Sequence, residues 1–558
     1  MGLRYLRAGL WRSFGPFAVL LAAIFLLAGC VQKESAPAKE SAVLKSVRYQ
    51  DLLALWKEFR EFQKPSVTMG IPDYTASAMA AQKKRAAEFQ NRLAAIDPSA
   101  WPTTEQVDYH IVRAEMNGLD FDHRVLRPWA KDPCFYATIE LAGPDVPARE
   151  GPQLFGTLCL SDFTFPLNNE EKPAFETKLK AIPGYLAQAK SNLTEYTNDN
   201  RILGIRQKKD ESADLENLAK RLAGIHPDLV APAEKAKAAV DDFRAWLESN
   251  PVPGKGPSGL GVAEYDWYMK NVHLVPYGWK EQMDLVQREL ERAVAYLKLE
   301  ELKNRNLPPL EPAASREEQQ RRLLAGNATF FDVLRKREIF TVPEYMHLDT
   351  DVRSFVPAER RDFFTQVEYR DVLSLRCHSV HWLEKQREKF NTHPLRGTPL
   401  LYNIWDSRAE GFATAFEEFM MGAGLFDKNP RGREIVYIML AFRCIRAICD
   451  LRLHSHDWTI EGAVKYAVEA TPRGWTRPDG STIWGDLTIY LNQPGYGTSY
   501  VVGKSQFEKL MAEYAQKKGD SFRVKDFLDE YFTKGLIPAA LIRWEMTGRD
   551  DEIKRLLK

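Results

Sequence analysis

Apolar residues recur along most of this chain at steps of three and four, the spacing that gathers them on one face of a helix. Tyr49 to Phe62 carries Leu52, Leu53, Leu55, Trp56, Phe59 and Phe62 at such steps, and Ser77 to Ile96 keeps the same period. Pro98 and Pro102 interrupt it, after which Thr103-Thr104-Glu105-Gln106 supplies capping residues for a helix running to about Leu126. Residues 128–166, rich in Pro and Gly, read as loops with short helices. Helical periods return over Glu170–Asn192 and Glu211–Asn250, then over Trp279–Leu302 and the charged Glu317–Arg335. Val342–Pro357 is irregular. Glu434–Leu453 is so uniformly apolar that it predicts a buried helix, and Lys504–Gln516 and Val524–Lys534 close the series. No alternating run is long enough to predict a sheet, so the expected fold is a large, mainly α body with at most a few short strands.

At 558 residues the chain exceeds what one core usually serves, and a division is expected. Pro251-Val252-Pro253-Gly254-Lys255-Gly256-Pro257 is the clearest break. It predicts a linker over 251–260 between an N-terminal helical region, 43–250, and a C-terminal one, 261–558. Basic and acidic residues balance, 77 against 76, and no basic stripe stands out, which argues against a nucleic-acid partner. There is no Gly-rich phosphate loop, no Gly-x-Ser-x-Gly elbow and no solenoid repeat.

The N-terminus changes the picture from a plain helical protein to an exported one. Arg4, Arg7 and Arg12 precede an apolar run from Phe17 to Leu27, which ends in Ala28-Gly29-Cys30. A basic start, a short apolar stretch and small residues at its end predict a secretory signal over 1–29, and the run is short for a span of about 20 residues. The small pair before a cysteine resembles the lipobox of bacterial lipoproteins. That likeness implies cleavage before Cys30, lipid on its thiol, and attachment to a membrane of the bacterial envelope. Val31 rather than Asp after the cysteine resembles the sorting pattern for the outer membrane, facing the periplasm. Residues 30–42 read as a flexible tether. Five cysteines lie beyond Cys30, at 134, 159, 377, 444 and 449. An oxidising envelope permits disulfides, with Cys134 and Cys159 the leading candidate pair.

Candidate chemistry is densest between Arg376 and Glu418. His378, His381 and Glu384 fall at steps of three on a predicted helix, two imidazoles and a carboxylate along one face. Glu410, from the following helical run, is the candidate further ligand; three protein ligands with a water in the remaining position is the plan of a catalytic zinc site. Cys377 beside His378 offers a thiol, but neighbours on a helix point about 100° apart and do not pair as nucleophile and base. Asp108, His110, Asp120, Asp122 and His123 have mixed spacing that suits the polar flank of a helix. Arg446 and Asp450, one turn apart on an apolar helix, are expected to pair. Pro494-Gly495-Tyr496-Gly497 with Tyr500 is expected as a tight turn presenting two tyrosines.

Several of these blocks together are similar to a known family. They are Glu410 through Glu417, the Arg446-x-x-x-Asp450-x-x-x-His454 helix with Trp458, Gln493-Pro494-Gly495 with Tyr500 and Gly503-Lys504, and Gly535-x-Ile537-Pro538. In this order they resemble the bacterial family catalogued as domain of unknown function 885, with likeness from about Tyr74 to Met546. The resemblance implies a gluzincin-like helical metallopeptidase fold, a zinc ion and a peptide substrate. In that family a His-Glu-x-x-Pro-Gly-His segment supplies two ligands and the general base, and a Glu-Gly-Trp block the third ligand. Carried over, Glu410 is the third ligand, and His454 and Tyr500 occupy positions that steady an oxyanion. The first segment departs from the pattern: Ser379 stands where the base belongs, Trp382-Leu383 replaces Pro-Gly, Glu384 falls at or near the second ligand, and Leu528 precedes Asp529 where a His is expected. A general base is worth roughly a hundredfold to ten-thousandfold in rate. Two functions are therefore expected. One is a zinc peptidase of the envelope on His378, His381, Glu384 and Glu410, with Glu384 or Glu417 as base and Arg446, His454 and Tyr500 orienting substrate or stabilising negative charge. The other is a catalytically impaired, peptidase-like lipoprotein that binds or assembles.

Overall fold

The structure, a computed structural model, describes residues 47–141, 155–352, 354–398, 400–402 and 406–558. The signal segment 1–29, Cys30 and the tether 30–42 lie outside the described residues. What is described is almost entirely helical, with two pairs of two-residue strands: Val67–Thr68 against Ile71–Pro72, antiparallel, and Ile139–Glu140 beside Leu158–Cys159, parallel. Residues Lys45–Lys558 cluster as one compact unit. Its larger core draws on residues from Leu52 to Phe121 and from Tyr265 to Leu556, while a second core gathers Tyr74, Phe175, Leu215, Phe243 and their neighbours. Along 251–260, Gly254 N donates to Tyr196 O and His456 Nε2 lies 2.9 Å from Gly259 O.

Most predicted helices stand within a few residues of expectation, and the exceptions have local causes. The Glu211–Asn250 stretch is two helices, Asn198–Ala223 and Val230–Ser249. The first begins earlier because Thr197 and Asn200 form a reciprocal cap, and Pro227 separates the pair. Lys504–Gln516 extends back to Tyr496, directly after Gly495, whose φ of +84° only glycine takes without strain. Tyr496 and Tyr500 therefore sit one turn apart on a helix face and not in a turn. Asp108, His110, Asp122 and His123 are buried and do not form a polar flank. Asp108 accepts from the Tyr49 hydroxyl at 2.6 Å and from Arg396 Nε at 2.7 Å, tying the first helix to a distant loop.

The centre of the body is the Gly432–His454 helix, buried on all sides and packed against Trp279–Lys303, Ile460–Ala470, Ser481–Asn492 and Tyr496–Lys518. Asp450 on it accepts from the backbone N–H of Thr498 at 3.2 Å, capping the tyrosine helix from outside. Burial pushes the Asp450 carboxyl up to about 8, the helix-end N–H groups pulling the other way. The expected Arg446–Asp450 pair is thus absent: Asp450 is committed to that helix end, and Arg446 pairs with Asp486 at 2.7 Å. The tyrosine helix in turn crosses Asp406–Gly422 backbone to backbone. A methyl on Gly411 would lie 2.2 Å from Gly503 Cα, and one on Gly503 would lie 1.8 Å from the Ser407 carbonyl oxygen. Alanine at 503 gains about 1 kcal/mol of helix propensity, yet overpacking costs roughly 1–3 kcal/mol or more. Gly503→Ala is expected to lower the urea midpoint followed by circular dichroism; a midpoint equal to wild type would show that the two helices have room to part.

Candidate metal centre

The segment expected as one helix is two. Val372–His378 starts at Asp371, whose carboxylate accepts from Ser374 N at 3.0 Å, and the break comes at Ser379. The Ser379 hydroxyl donates back to Leu375 O at 2.9 Å, a local bond that bends helices. Val380–Glu388 then sets off with His381 near its start. Across this bend the two imidazoles meet edge to face with ring centres 5.0 Å apart. Glu410 comes from the Asp406–Gly422 helix and brings Oε2 to 3.1 Å from His378 Nε2. Among the described residues this is the group suited to a metal: one donor atom each from His378, His381 and Glu410, all within 4.8 Å of one another.

A chain of charged contacts holds His378 and Glu410 in place. Arg443 on the central helix grips Glu417 with both terminal nitrogens, at 2.6 and 2.8 Å. Glu417 Oε1 lies 3.0 Å from His378 Nδ1, and beyond His378 the far oxygen of Glu410 accepts from the Tyr496 hydroxyl at 2.7 Å. Burial and Arg443 press the His378 pKa down, but hydrogen bonds to Glu410 and Glu417 outweigh them and leave it raised. Burial works against ionising Glu410, yet His378 and His381 hold its carboxyl far below the usual range. Two imidazole nitrogens and an ionised carboxylate suit zinc, whose ligands stand about 2.0–2.2 Å from the ion, so pairs of donor atoms need about 3.5 Å. The donors present are within small side-chain motions of that spacing. Glu417 lies behind His378 where a carboxylate would orient a ligating imidazole, and Arg443 Nη2 lies 3.1 Å from the same Nδ1.

Above the cluster opens a cavity of about 320 Å³ walled by Arg443, Arg446 and Tyr500, with Glu368 and Asp486 in its lining and Trp382 beside them. The Tyr500 ring stacks 6.2 Å from His378 and lies 4.8 Å from the Arg446 guanidinium carbon. Arg446 and Tyr500 are therefore at the site. Glu384 is not: both its oxygens accept from buried Arg408, at 2.5 and 2.9 Å, whose guanidinium carbon lies 3.8 Å from the Tyr531 ring centre. Glu417 stands behind His378. His454 is outside the cavity lining; its Nδ1 accepts from Leu260 N at 3.3 Å and its Nε2 donates to Tyr490 O at 3.0 Å. Burial takes its pKa down to about 4, the state those two bonds require. Cys377 is buried and its thiol is pushed well up, and Cys134 and Cys159 are both free. Arg443, Glu368 and Asp486 join the site unannounced by any motif, and Tyr496, expected in a tight turn, joins it from a helix.

The family described as "Bacterial protein of unknown function (DUF885)" matches residues 66–312 and 393–546, and the chain belongs to it. The match omits 313–392, the stretch that holds His378, His381 and Glu384. Two solved structures are similar in fold, both described as a "putative lipoprotein". One, from Shewanella oneidensis and described as of unknown function, is 16% identical with a TM-score of 0.66, covering 90% of this chain and 100% of that one. The other, from Colwellia psychrerythraea, is 15% identical with a TM-score of 0.63, covering 90% and 99%. No curated protein matches the chain.

Removing one member of a buried ion pair leaves a bare charge and costs about 3–5 kcal/mol. Glu384→Gln is expected to lose stability on that scale in chemical denaturation while the folded fraction takes up as much zinc as wild type. A folded Glu384→Gln that fails to hold zinc would return Glu384 to the ligand set.

Proposed function

We propose that this member of the DUF885 family is a lipid-anchored protein of the bacterial envelope that holds one zinc ion on His378, His381 and Glu410 and hydrolyses peptides in the cavity above it. The carrying observation is the convergence of two imidazoles and a depressed carboxylate, from three separate helices, at the floor of a cavity. Anchoring is supported by the lipobox at Cys30 and by the lipoprotein descriptions of the two structural relatives. Among the described residues no helix is long and apolar enough to cross a membrane. With Val31 after the cysteine, the outer membrane, facing the periplasm, is the proposed address.

A bound zinc supplies Lewis acidity toward a peptide carbonyl. The chain's own residues do the rest. Glu417 and Arg443 hold His378 in orientation, and Tyr496 does the same for Glu410. Arg446, paired with Asp486 and covered by Tyr500, presents a guanidinium to a negatively charged group of the ligand. Trp382, 36% exposed at the cavity wall, offers an apolar face to a neighbouring side chain.

A second reading is favoured by one observation: the three places looked to for a general base are taken. Ser379 is bound to Leu375 O, Glu384 to Arg408, and Glu417 lies behind His378. In that reading the cleft keeps its ion and binds peptides without cutting them.

Metal analysis of the purified full chain in detergent tests what both readings share. About one zinc per chain is expected, removable by chelator and lost in His381→Ala and Glu410→Ala. Glu417→Gln should keep the site but weaken zinc affinity by roughly tenfold to a hundredfold. A folded wild type that takes up no zinc sinks the proposal.

A further inference from the structure

Hydrolysis of a peptide needs a group to take a proton from the attacking water, and such a group must reach the cavity with a free oxygen. Apart from Glu410, the carboxylates lining the cavity among the described residues are Glu368 and Asp486. Asp486 is bound at 2.7 Å to Arg446, which has no other carboxylate partner among the described residues, so the Asp486 charge is committed. Glu368 is placed differently. It sits on Phe363–Arg370, the helix before the histidines, and the turn capped by Asp371 folds that helix back so that positions 368 and 378 line one cavity. Among the described residues one of its oxygens is engaged, accepting from Arg376 Nη2 at 3.1 Å, and its side chain stays 30% exposed. Burial holds its carboxyl above the usual range, with the Arg376 guanidinium pulling the other way, which makes it a stronger base than an exposed glutamate.

We propose that Glu368 is the general base of this site, a catalytic role moved from the position after the first histidine to the neighbouring helix. Glu368 accepts a proton from water as the water oxygen bonds to the peptide carbonyl carbon. It then delivers that proton to the amine nitrogen as the carbon–nitrogen bond breaks, so that water and peptide become a carboxylic acid and an amine. The assignment rests on the hydrolase reading above and decides between it and the binding reading.

The test uses the full chain in detergent, loaded with zinc, and an equimolar library of short synthetic peptides whose new termini are read by mass spectrometry. Glu368→Gln should carry as much zinc as wild type and bind the best-cleaved peptide equally well by calorimetry, with turnover lower by roughly a hundredfold to ten-thousandfold. Glu368→Asp should recover part of that loss. If Glu368→Gln cleaves as fast as wild type, the assignment is overturned and the metal site stands. A zinc-loaded wild type that binds peptides and cuts none overturns the assignment in favour of the binding reading, and a wild type that takes up no zinc overturns both.

Discussion

The backbone contact between Gly411 and Gly503 is the constraint on which the site depends. It brings the Asp406–Gly422 and Tyr496–Lys518 helices closer than any side chain would allow. Glu410, the residue before Gly411, is thereby carried to within hydrogen-bonding distance of Tyr496, and Tyr500 comes to lie over His378. Helices are stiff, so a site assembled from several of them inherits the precision of their packing. Had this crossing been cushioned by ordinary side chains, the helices would stand farther apart and Glu410 would lose the tyrosine that orients it.

Charge is the second organising element. Arg443, Glu417, His378 and Glu410 form a line of alternating sign through the interior, and Arg446 with Asp486 forms a shorter one beside it. Buried pairs of this kind contribute little to stability compared with apolar packing of the same volume, because desolvation consumes most of the Coulomb gain. Their physical value lies elsewhere. Each charge fixes the geometry of the next, so an imidazole is held with one nitrogen facing a carboxylate inside the body and the other facing the cavity. Glu384 with Arg408 shows the purely structural version of the same device: fully paired and turned away from the cavity.

The helical body was legible because apolar residues at helical steps are the strongest local signal a sequence carries, and the long buried Gly432–His454 helix stands out most. Helix starts were less so. Asn198 and Tyr496 begin helices through a reciprocal cap and a left-handed glycine, features set by a few residues and not by periodicity. At the site, spacing found His378 and His381 and, with Glu410, the cluster itself. Spacing included Glu384 because it follows His381 by three on one helix, and its commitment to Arg408 is a long-range pairing that no local spacing reveals. Arg446 was matched to the acid one turn away, when a longer-range partner, Asp486, was available and Asp450 was needed at a helix end. Long-range pairing of buried charges has no sequence period, which is why Arg443, Glu368 and Asp486 were invisible.

In a His-Glu-x-x-Pro-Gly-His segment, the base follows the first ligand on one helix, and its direction is set by that helix. Here Ser379 stands at that place in the cavity lining, its hydroxyl bonded back to Leu375 O at the bend between the two helices. Glu368, on the preceding helix, lines the same cavity across a turn set by Asp371. The family match omits 313–392, a single stretch that contains Glu368, Arg376, His378, Ser379, His381 and Glu384. The part of the chain least like its family is therefore the part whose residues depend on one another most directly. Glu410, Tyr496 and the glycine crossing, which lie in the matched part, supply the fixed frame against which that local rearrangement occurs.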